Sequence, residues 1–203
     1  VDAEHVTYKS AEEILKDCDG ILVPGGFGDR GIEGMICAAN YARVNNVPYL
    51  GICLGMQIAV IEFARNVLEL DRATSTEFDK FTKYPVIDLM IDQYGNIPLG
   101  GTMRLGAYPC KIKENTIMAK SYGELNISER HRHRYEFNNK YRQDFINAGM
   151  IIGGTSPDET LVEAVEVQSN DFFVGVQYHP EFKSRPNRAN PIIKEFIKVA
   201  VEK

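Results

Sequence analysis

The sequence has few cysteines and no long apolar run, and each shortage excludes a class of protein. Its four cysteines, at positions 18, 37, 53 and 110, lack both the close pairing of a zinc site and the density of a secreted disulfide scaffold, so we expect a reducing, cytoplasmic setting. No apolar run approaches the roughly 20 residues that a membrane span needs. The first residues also lack the pattern of a signal sequence, so we expect a soluble protein without a membrane partner.

Positive charge is also in deficit. Lysine and arginine number 23 against 28 aspartate and glutamate residues, which gives a net charge of −5. A surface of this sign repels nucleic acid and acidic lipid over most of its area. A small polar substrate or a protein partner fits this charge better.

The alternation of apolar runs with glycine-rich loops predicts an α/β fold in a single domain over residues 1–203. A capping-box pattern at Ser10–Glu13 predicts a short first helix. Gly20–Val23 and Pro48–Ile52 are typical of buried strands, and Leu54–Leu68 has helical spacing. Together they predict a mostly parallel central sheet flanked by helices. Residues 73–115 are mixed in character and predict a small antiparallel addition or flap.

A cysteine lies at the predicted junction between a strand and a helix, in Gly51-Ile-Cys53-Leu-Gly55. This is the form of a nucleophile elbow, in which the flanking glycines are needed because a sharp turn brings backbone segments too close for a β-carbon. We expect the positive end of the helix dipole to lower the pKa of the thiol. A lone cysteine between glycines is more often a small buried residue, so the nucleophile interpretation requires a base.

The candidate base is His179, just past the strand-like run Phe172–Val176, where open α/β sheets place ligand-facing residues. Glu181 lies two positions later, and residues i and i+2 of an extended segment point the same way, so its carboxylate can orient the imidazole. With Cys53 these residues form a predicted Cys/His/Glu triad. The alternative is a surface His-Pro turn with an incidental glutamate.

The loop Pro24–Gly28 offers several backbone amides at another strand end, where they can receive the negative charge of an oxyanion. Gly26 and Leu54 are the expected donors. The alternative is a phosphate cradle, but the loop lacks the Gly-Lys-Ser/Thr ending of a P-loop. We therefore predict no nucleotide phosphate site here.

The basic run Arg130–Arg134 has two interpretations, a solvated charged turn or a carboxylate clamp built on planar guanidinium groups. Its histidines, His131 and His133, have no cysteine or acidic ligand nearby at a zinc spacing. Structural or surface roles suit them better. We predict no metal site.

Three segments together resemble the signature motifs of the class I glutamine amidotransferases: Pro24–Gly28, Gly51–Gln57 and Tyr178–Glu181. Three further segments resemble the CTP synthase branch of that family rather than its GMP, carbamoyl-phosphate or anthranilate branches: Gly25–Gly31, Gly101–Gly106 and Arg130–Asn138. The resemblance extends over nearly the whole chain. It implies the flavodoxin-like fold of this family.

The resemblance also implies roles for individual residues. Cys53 would be the nucleophile, His179 the acid and base, and Glu181 its orienting partner. The glutamine site and oxyanion hole would be lined by Gly26, Leu54, Gly55, Met56 and Gln57, with Glu77 and Arg134 holding the ammonium and carboxylate ends of the substrate. Gly101–Gly106 would be a mobile lid.

The implied activity is hydrolysis of L-glutamine through a cysteinyl thioester, which supplies ammonia for ATP-dependent amination of UTP to CTP. The resemblance implies no cofactor in this domain, while ATP and magnesium belong to an amidoligase domain and GTP is an activator. The full-length protein is expected to be a homo-oligomer, a tetramer. We expect the amidoligase domain, and the first strand and helix of the glutaminase domain, to lie outside these 203 residues.

Three alternatives stay open at this point. A glutaminase subunit of another synthetase would share the triad but not the Gly101–Gly106 and Arg130–Asn138 segments. A γ-glutamyl peptidase of the same fold would accept γ-glutamyl peptides instead of free glutamine. A non-catalytic scaffold would have lost the cysteine or the histidine, and both are present.

Overall fold

We describe residues 1–89 and 103–202 in a computed structural model of the chain. The helices are α1 (Ala11–Leu15), α2 (Ile32–Val44), α3 (Leu54–Asn66), α4 (Ile117–Tyr122), α5 (Arg142–Asn147) and α6 (Pro191–Val201). The strands are β1 (Ile21–Val23), β2 (Tyr49–Ile52), β3 (Thr74–Ser75), β4 (Pro85–Leu89), β5 (Arg104–Ile112), β6 (Asn126–His133), β7 (Tyr135–Phe137), β8 (Met150–Thr155), β9 (Val162–Val167) and β10 (Phe173–Val176).

Two sheets organise the molecule. The larger has seven strands in the order β1-β2-β10-β9-β8-β5-β6, and the smaller has the order β3-β4-β7. Parallel pairing joins β1, β2 and β10, and antiparallel pairing continues through the other four strands of the larger sheet. The predicted α/β class, with a central sheet, flanking helices and an antiparallel addition, is confirmed. The larger sheet is mixed, however, because among its described strands only the β1-β2 and β2-β10 pairings are parallel, so the mostly parallel arrangement is limited to the part that carries β1, β2 and β10.

Helices cover both faces of the larger sheet. On one face α3 packs against α2 and against β2 and β10. Its residues from Leu54 to Ala64 are all buried, as expected of a helix that is apolar around most of its circumference. On the other face α6 lies with α4, and Ile192 and Phe196 are its buried residues. Full burial of each such large apolar side chain contributes roughly 1.5–3 kcal/mol.

Most of the hairpin β5–β6 extends past β8, its neighbour in the larger sheet. Its two strands pair along their length, from Arg104 opposite His133 to Lys111 opposite Asn126. In contrast, β5 pairs with β8 only at Lys111 and Ile112. The far part of the hairpin is therefore free to lie over the carboxyl ends of β2 and β10.

The basic run Arg130–Arg134 is not a turn, as one interpretation of the sequence had it, but continues β6 as far as His133. Its side chains alternate, with the histidines buried and the preceding arginines exposed. Of the predicted lid Gly101–Gly106, residues 101 and 102 lie outside the described residues, and Arg104–Gly106 begin β5. None of the helices in the described ranges has the length and hydrophobicity that a bilayer crossing requires.

Candidate active site

Cys53 occupies the sharp turn between β2 and α3. Its φ of 52° and ψ of −102° are unusual for a residue with a side chain, and such a conformation costs about 1–3 kcal/mol. A β-carbon on Gly51 would lie 2.4 Å from the Gly55 carbonyl oxygen, and one on Gly55 would lie 2.1 Å from the Val23 carbonyl oxygen. The structure thus confirms why this turn requires glycine on both sides of the cysteine.

The expectation of a lowered thiol pKa at Cys53 is wrong. Burial raises the pKa of Cys53 to about 12, and the negative charges of Glu181, Glu136 and Glu77 act in the same direction. The backbone N–H of Leu54, at the start of α3, opposes this rise in pKa only in part. The thiol is therefore neutral at neutral pH, and its ionisation requires a base.

His179 and Glu181 form a close pair. The Nδ1 atom of His179 lies 2.6 Å from Oε1 of Glu181. A carboxylate can only accept, so Nδ1 carries the proton and Nε2 of the neutral ring is left with a lone pair. That Nε2 atom is buried and has no hydrogen-bond partner within the described part of the chain. The imidazole is thereby prepared to take a proton.

The loop at Gly25 brings the histidine and the cysteine together. A β-carbon on Gly25 would lie 2.7 Å from Cε1 of His179 and 3.6 Å from Cβ of Cys53, so both side chains border the same small residue. The expected extended geometry was wrong, because Glu181 belongs to a short 3-10 turn, Pro180–Phe182. The turn still directs the carboxylate to the imidazole, and the Phe182 ring stacks on that imidazole at 4.6 Å.

Backbone carbonyls of β6 accept hydrogen bonds from Cys53 and from residues 179–183, which we call the catalytic segment. The His179 N–H donates to the Arg130 carbonyl at 2.7 Å. The Cys53 sulfur lies 4.0 Å from the Arg132 carbonyl, which can accept the thiol proton. Lys183 Nζ donates to the Ser128 carbonyl. The part of the β5–β6 hairpin farthest from β8 therefore helps to position Cys53 and His179.

A small cavity of about 80 Å³ opens beside Cys53. Its lining includes these predicted site residues: Gly26, Cys53, Leu54, Gln57, Glu77 and Arg134. The Leu54 amide is in the first turn of α3, where N–H groups have no partner within the helix, so it is available to an oxyanion. Larger cavities of about 490 and 970 Å³ lie elsewhere and contain no triad residue.

Glu77 and Arg134 give this cavity groups of opposite charge. Glu77 follows β3 and accepts a hydrogen bond from the Gly28 N–H at 3.4 Å. Burial raises the pKa of Glu77, while the Gly28 amide and the nearby Arg134 guanidinium act to lower it. Arg134 connects β6 to β7, so each charged group is fixed by a different strand end.

Gly55 and Met56 do not line this cavity, contrary to the expectation from the sequence. The Gly55 carbonyl accepts a hydrogen bond from the Tyr49 hydroxyl at 2.8 Å, beneath the turn. The Met56 side chain is fully buried, and its Cγ lies 3.0 Å from the position of a β-carbon on Gly175. Both residues support the turn from below.

Sequence reasoning missed a buried ionic cluster behind the cavity, made of Arg104, His131, His133, Glu136 and Glu163. Arg104 donates to Glu163 at 2.7 Å and to Glu136 at 3.2 Å. Burial lowers the pKa of His131 to about 2 and of His133 to about 3, and raises that of Glu136 to about 8. The Arg-His-Arg-His alternation was the available signal, since a period of two is typical of a strand with one buried face.

The two histidines of this cluster are buried and contact each other. The His131 Nδ1 and His133 Nε2 atoms lie 2.9 Å apart. In the described part of the chain, no group of three or more His, Cys, Asp or Glu side chains is arranged to hold a metal ion.

Sequence reasoning also assigned no role to Gln177, although it directly precedes the predicted Tyr178–Glu181 motif. Its side-chain Nε2 lies 3.7 Å from the Cys53 sulfur, and its side chain is fully buried. No spacing rule in the sequence relates residue 177 to residue 53. Only the parallel pairing of β10 with β2, which sets Val176 beside Ile52, brings them together.

Comparison with known proteins agrees with this geometry. The family model described as glutamine amidotransferase class-I matches residues 1–199. A CTP synthase from Clostridium kluyveri is 58% identical over 201 residues, which are 99% of this chain and 37% of that protein. A CTP synthase from Staphylococcus aureus is 58% identical over 202 residues, which are 100% of this chain and 38% of that protein. The chain thus spans little more than a third of these relatives.

Solved structures give the same picture. The glutaminase domain of a Trypanosoma brucei CTPS with bound acivicin superposes with a TM-score of 0.95 at 43% identity, covering 100% of this chain and 80% of that one. A glutamine amidotransferase from Thermotoga maritima superposes with a TM-score of 0.53 at 13% identity, covering 89% of this chain and 76% of that one. The second likeness shows the fold alone.

Proposed function

Because this chain belongs to the class I glutamine amidotransferase family, we propose that it hydrolyses L-glutamine to glutamate and ammonia through a thioester on Cys53. The observation that carries the proposal is the meeting of three groups around Gly25, beside the cavity that Cys53 lines. A cysteine on a strained turn borders the same glycine as a histidine whose Nδ1 is held by a carboxylate. This arrangement is suited to nucleophilic attack on an acyl carbon.

The chemistry begins with transfer of the Cys53 proton to Nε2 of His179, which Glu181 stabilises as an imidazolium. The thiolate attacks the γ-carboxamide carbon, and the amides of Gly26 and Leu54 receive the oxyanion. The C–N bond breaks as His179 returns the proton to the leaving nitrogen, which departs as ammonia. A water then loses a proton to His179 and cleaves the thioester, releasing glutamate and restoring the thiol.

The cavity favours an amino acid with a free head group. We assign Glu77 to the ammonium group and Arg134 to the carboxylate, because the two line the cavity with opposite charges. A guanidinium binds a carboxylate through two parallel hydrogen bonds, which adds directional specificity to the charge attraction. Gln57 offers a neutral amide to the substrate from the first turn of α3.

We further propose that ammonia from this domain aminates UTP to CTP in the longer protein, in an ATP-dependent reaction. This rests on the CTP synthase relatives, of which the chain spans 37% and 38%. The remaining length would hold an amidoligase domain that binds UTP, ATP and magnesium, with GTP as activator and a tetramer as the assembly. All four cysteines are free, in keeping with a cytoplasmic location. A subunit of another synthetase or a γ-glutamyl peptidase is less well supported, because these relatives are CTP synthases.

An electrophilic glutamine analogue tests the proposal. We expect stoichiometric labelling at Cys53 and none in Cys53→Ala, as measured by intact mass and peptide mapping. A small neutral alkylator should instead modify Cys18 first, because Cys18 is the least buried of the four cysteines. Labelling by the analogue that follows the order of exposure, with Cys18 ahead of Cys53, would show that the site does not recognise glutamine.

A further inference from the structure

We infer that Gln177 is a catalytic residue, whose side-chain amide donates a hydrogen bond to the Cys53 sulfur and stabilises the thiolate as it forms. This inference rests on the proposed function, in which that sulfur is the nucleophile. Gln177 follows β10 directly, its Nε2 lies 3.7 Å from the sulfur, and its side chain is fully buried. Neither the triad nor the expected oxyanion donors include it.

The direction of the Gln177 amide is set by its neighbours. The Tyr135 carbonyl can only accept, so the amide nitrogen of Gln57, 3.1 Å away, must face it. The same nitrogen lies 3.3 Å from Oε1 of Gln177 and donates to it. With its oxygen occupied by that donor, Gln177 can present only its NH₂ group to the sulfur.

The start of this chain of hydrogen bonds is held from a second side. Nδ1 of His133 lies 3.2 Å from the Tyr135 carbonyl and donates to it, so Nε2 of the neutral ring accepts from Nδ1 of His131 at 2.9 Å. The carbonyl that orients Gln57 is therefore fixed by two donors. A buried path of hydrogen bonds runs from the histidine pair through Tyr135 and Gln57 to Gln177 and the sulfur.

Burial makes this contact useful to the reaction. A hydrogen bond to a neutral thiol is weak, but a bond to an ionised acceptor is roughly twice as strong, and a low-dielectric surrounding strengthens it further. The contact therefore gains strength as the thiolate forms. The backbone of Gln177 is also held, because its N–H donates to the Glu163 carbonyl at 2.8 Å. The donor thus needs no reorganisation when the sulfur becomes charged.

The test compares Gln177→Met, which keeps the shape but removes the donor, with Gln177→Glu, which replaces the donor by an acceptor. Both are made in a Cys18→Ser background, and Gln143→Met, at an exposed position of α5, is the matched control. The rate constant for alkylation of Cys53 by iodoacetamide is measured between pH 7 and 9.5 by peptide mapping. This rate follows the thiolate fraction.

We expect Gln177→Met to lower the Cys53 alkylation rate about tenfold at every pH, which corresponds to a rise of about one unit in thiol pKa. Gln177→Glu should lower the rate at least as far, and Gln143→Met should leave it unchanged. A residue that only packs the core would act in the opposite direction, because loosening exposes the sulfur. Alkylation at or above the wild-type rate in folded Gln177 variants would overturn the inference.

Glutamine turnover separates this inference from the proposed function. If wild type hydrolyses glutamine, kcat should fall in both variants while KM changes little, because Gln177 does not line the cavity. If wild type hydrolyses none but the alkylation rates differ as expected, the proposed function fails and the sulfur contact stands.

Circular dichroism first establishes which variants fold. If neither does, the side-chain amide resonance of Gln177 in the wild-type chain carries the test. We expect that resonance to shift when Cys53 is replaced by alanine, and an unchanged resonance would overturn the contact.

Discussion

At the scale of single residues, the environment of Cys53 opposes the charge that its chemistry needs. Burial and nearby carboxylates keep the thiol protonated, and the Leu54 amide opposes them only in part. A protonated thiol of this kind resists oxidation and non-specific alkylation, since the thiolate is the reactive form. Reactivity then depends on the proton acceptor rather than on the cysteine alone.

Arg134→Lys keeps the positive charge in the cavity but loses the two-bond fork. We expect kcat/KM for glutamine to fall roughly 10- to 100-fold, mainly through KM, because one directed carboxylate bond is lost. Alkylation of Cys53 by a neutral reagent should stay within about twofold of wild type, since that reagent has no carboxylate. Arg130→Lys, on the exposed face of β6, is the control and should change neither rate. Parallel loss of both rates in Arg134→Lys would exclude a substrate-binding role.

Gly51→Ala tests the tight approach beneath the turn. The new methyl would lie 2.4 Å from the Gly55 carbonyl oxygen, and we expect a loss of at least about 3 kcal/mol in the free energy of unfolding. Gly123→Ala is the comparison, because its φ is +69° with open space around it, and it should cost about 1–2 kcal/mol. Urea titrations of both variants measure the difference. Equal losses would mean that the backbone at Gly51 yields easily.

The sequence predicted the residues of the site more readily than their environment. Cys53, His179 and Glu181 were predicted from strand ends and glycines, and the structure places the first two beside Gly25 and pairs the last two. The pKa of Cys53 was predicted in the wrong direction, because a helix dipole is visible in sequence whereas burial is not. Gln177 was missed because its role depends on strand register.

At the scale of elements, the structure confirms the predicted helices and strands better than their local chemistry. The first helix is present as α1, but its predicted capping box is absent. The Ser10 hydroxyl instead accepts from the Thr7 N–H and contacts the carbonyl of His5. The hairpin β5–β6 was only partly foreseen, because its basic run also suits a solvated turn. Burial of alternate side chains decides between the two, and burial is a tertiary property.

The buried ionic cluster around Arg104 makes the stability of the fold depend on pH. Burial raises the pKa of Glu136 from 4.5 to about 8, so the folded state holds a proton that the unfolded state loses within that window. The contribution of this group is therefore fully present below about pH 4.5 and is lost as pH rises towards 8. While the difference is one whole proton, Glu136 by itself lowers the free energy of unfolding by about 1.4 kcal/mol per pH unit. Below about pH 6.5 the lowered pKa values of His131 and His133 act in the opposite direction, so the Glu136 contribution is seen by itself only above that pH.

Glu136→Gln cannot titrate, so we expect a flatter dependence of stability on pH than in wild type between pH 7 and 8, where His131 and His133 are largely neutral in both the folded and the unfolded state. The measurement is a urea titration at each of four pH values. Glu114→Gln, at an exposed position, is the control and should follow the wild-type profile. Parallel profiles for wild type and Glu136→Gln would show that Glu136 is ionised throughout the range.

At the scale of the whole molecule, the chain is about 37% of the length of its CTP synthase relatives. We predict that these 203 residues alone hydrolyse glutamine slowly and do not respond to GTP. An effector shifts an equilibrium only by its differential affinity for two states, and GTP held between two domains would lack half of its contacts here.

Ammonia release is followed at rising GTP, with and without a separately supplied amidoligase domain. Strong activation of the chain by itself would place the whole effector site within residues 1–203 and contradict this prediction.

The contacts of β6 with the catalytic segment have a consequence for association between molecules. β6 is the last strand of the larger sheet, and the outward carbonyls along Ser128–Arg132 are the groups an edge strand offers to another chain. Here they accept from Lys183, from the His179 amide and from the Cys53 thiol. The catalytic segment thus covers an edge that could otherwise template aggregation. A substitution that displaces it uncovers that edge, so inactivation and self-association begin with the same movement.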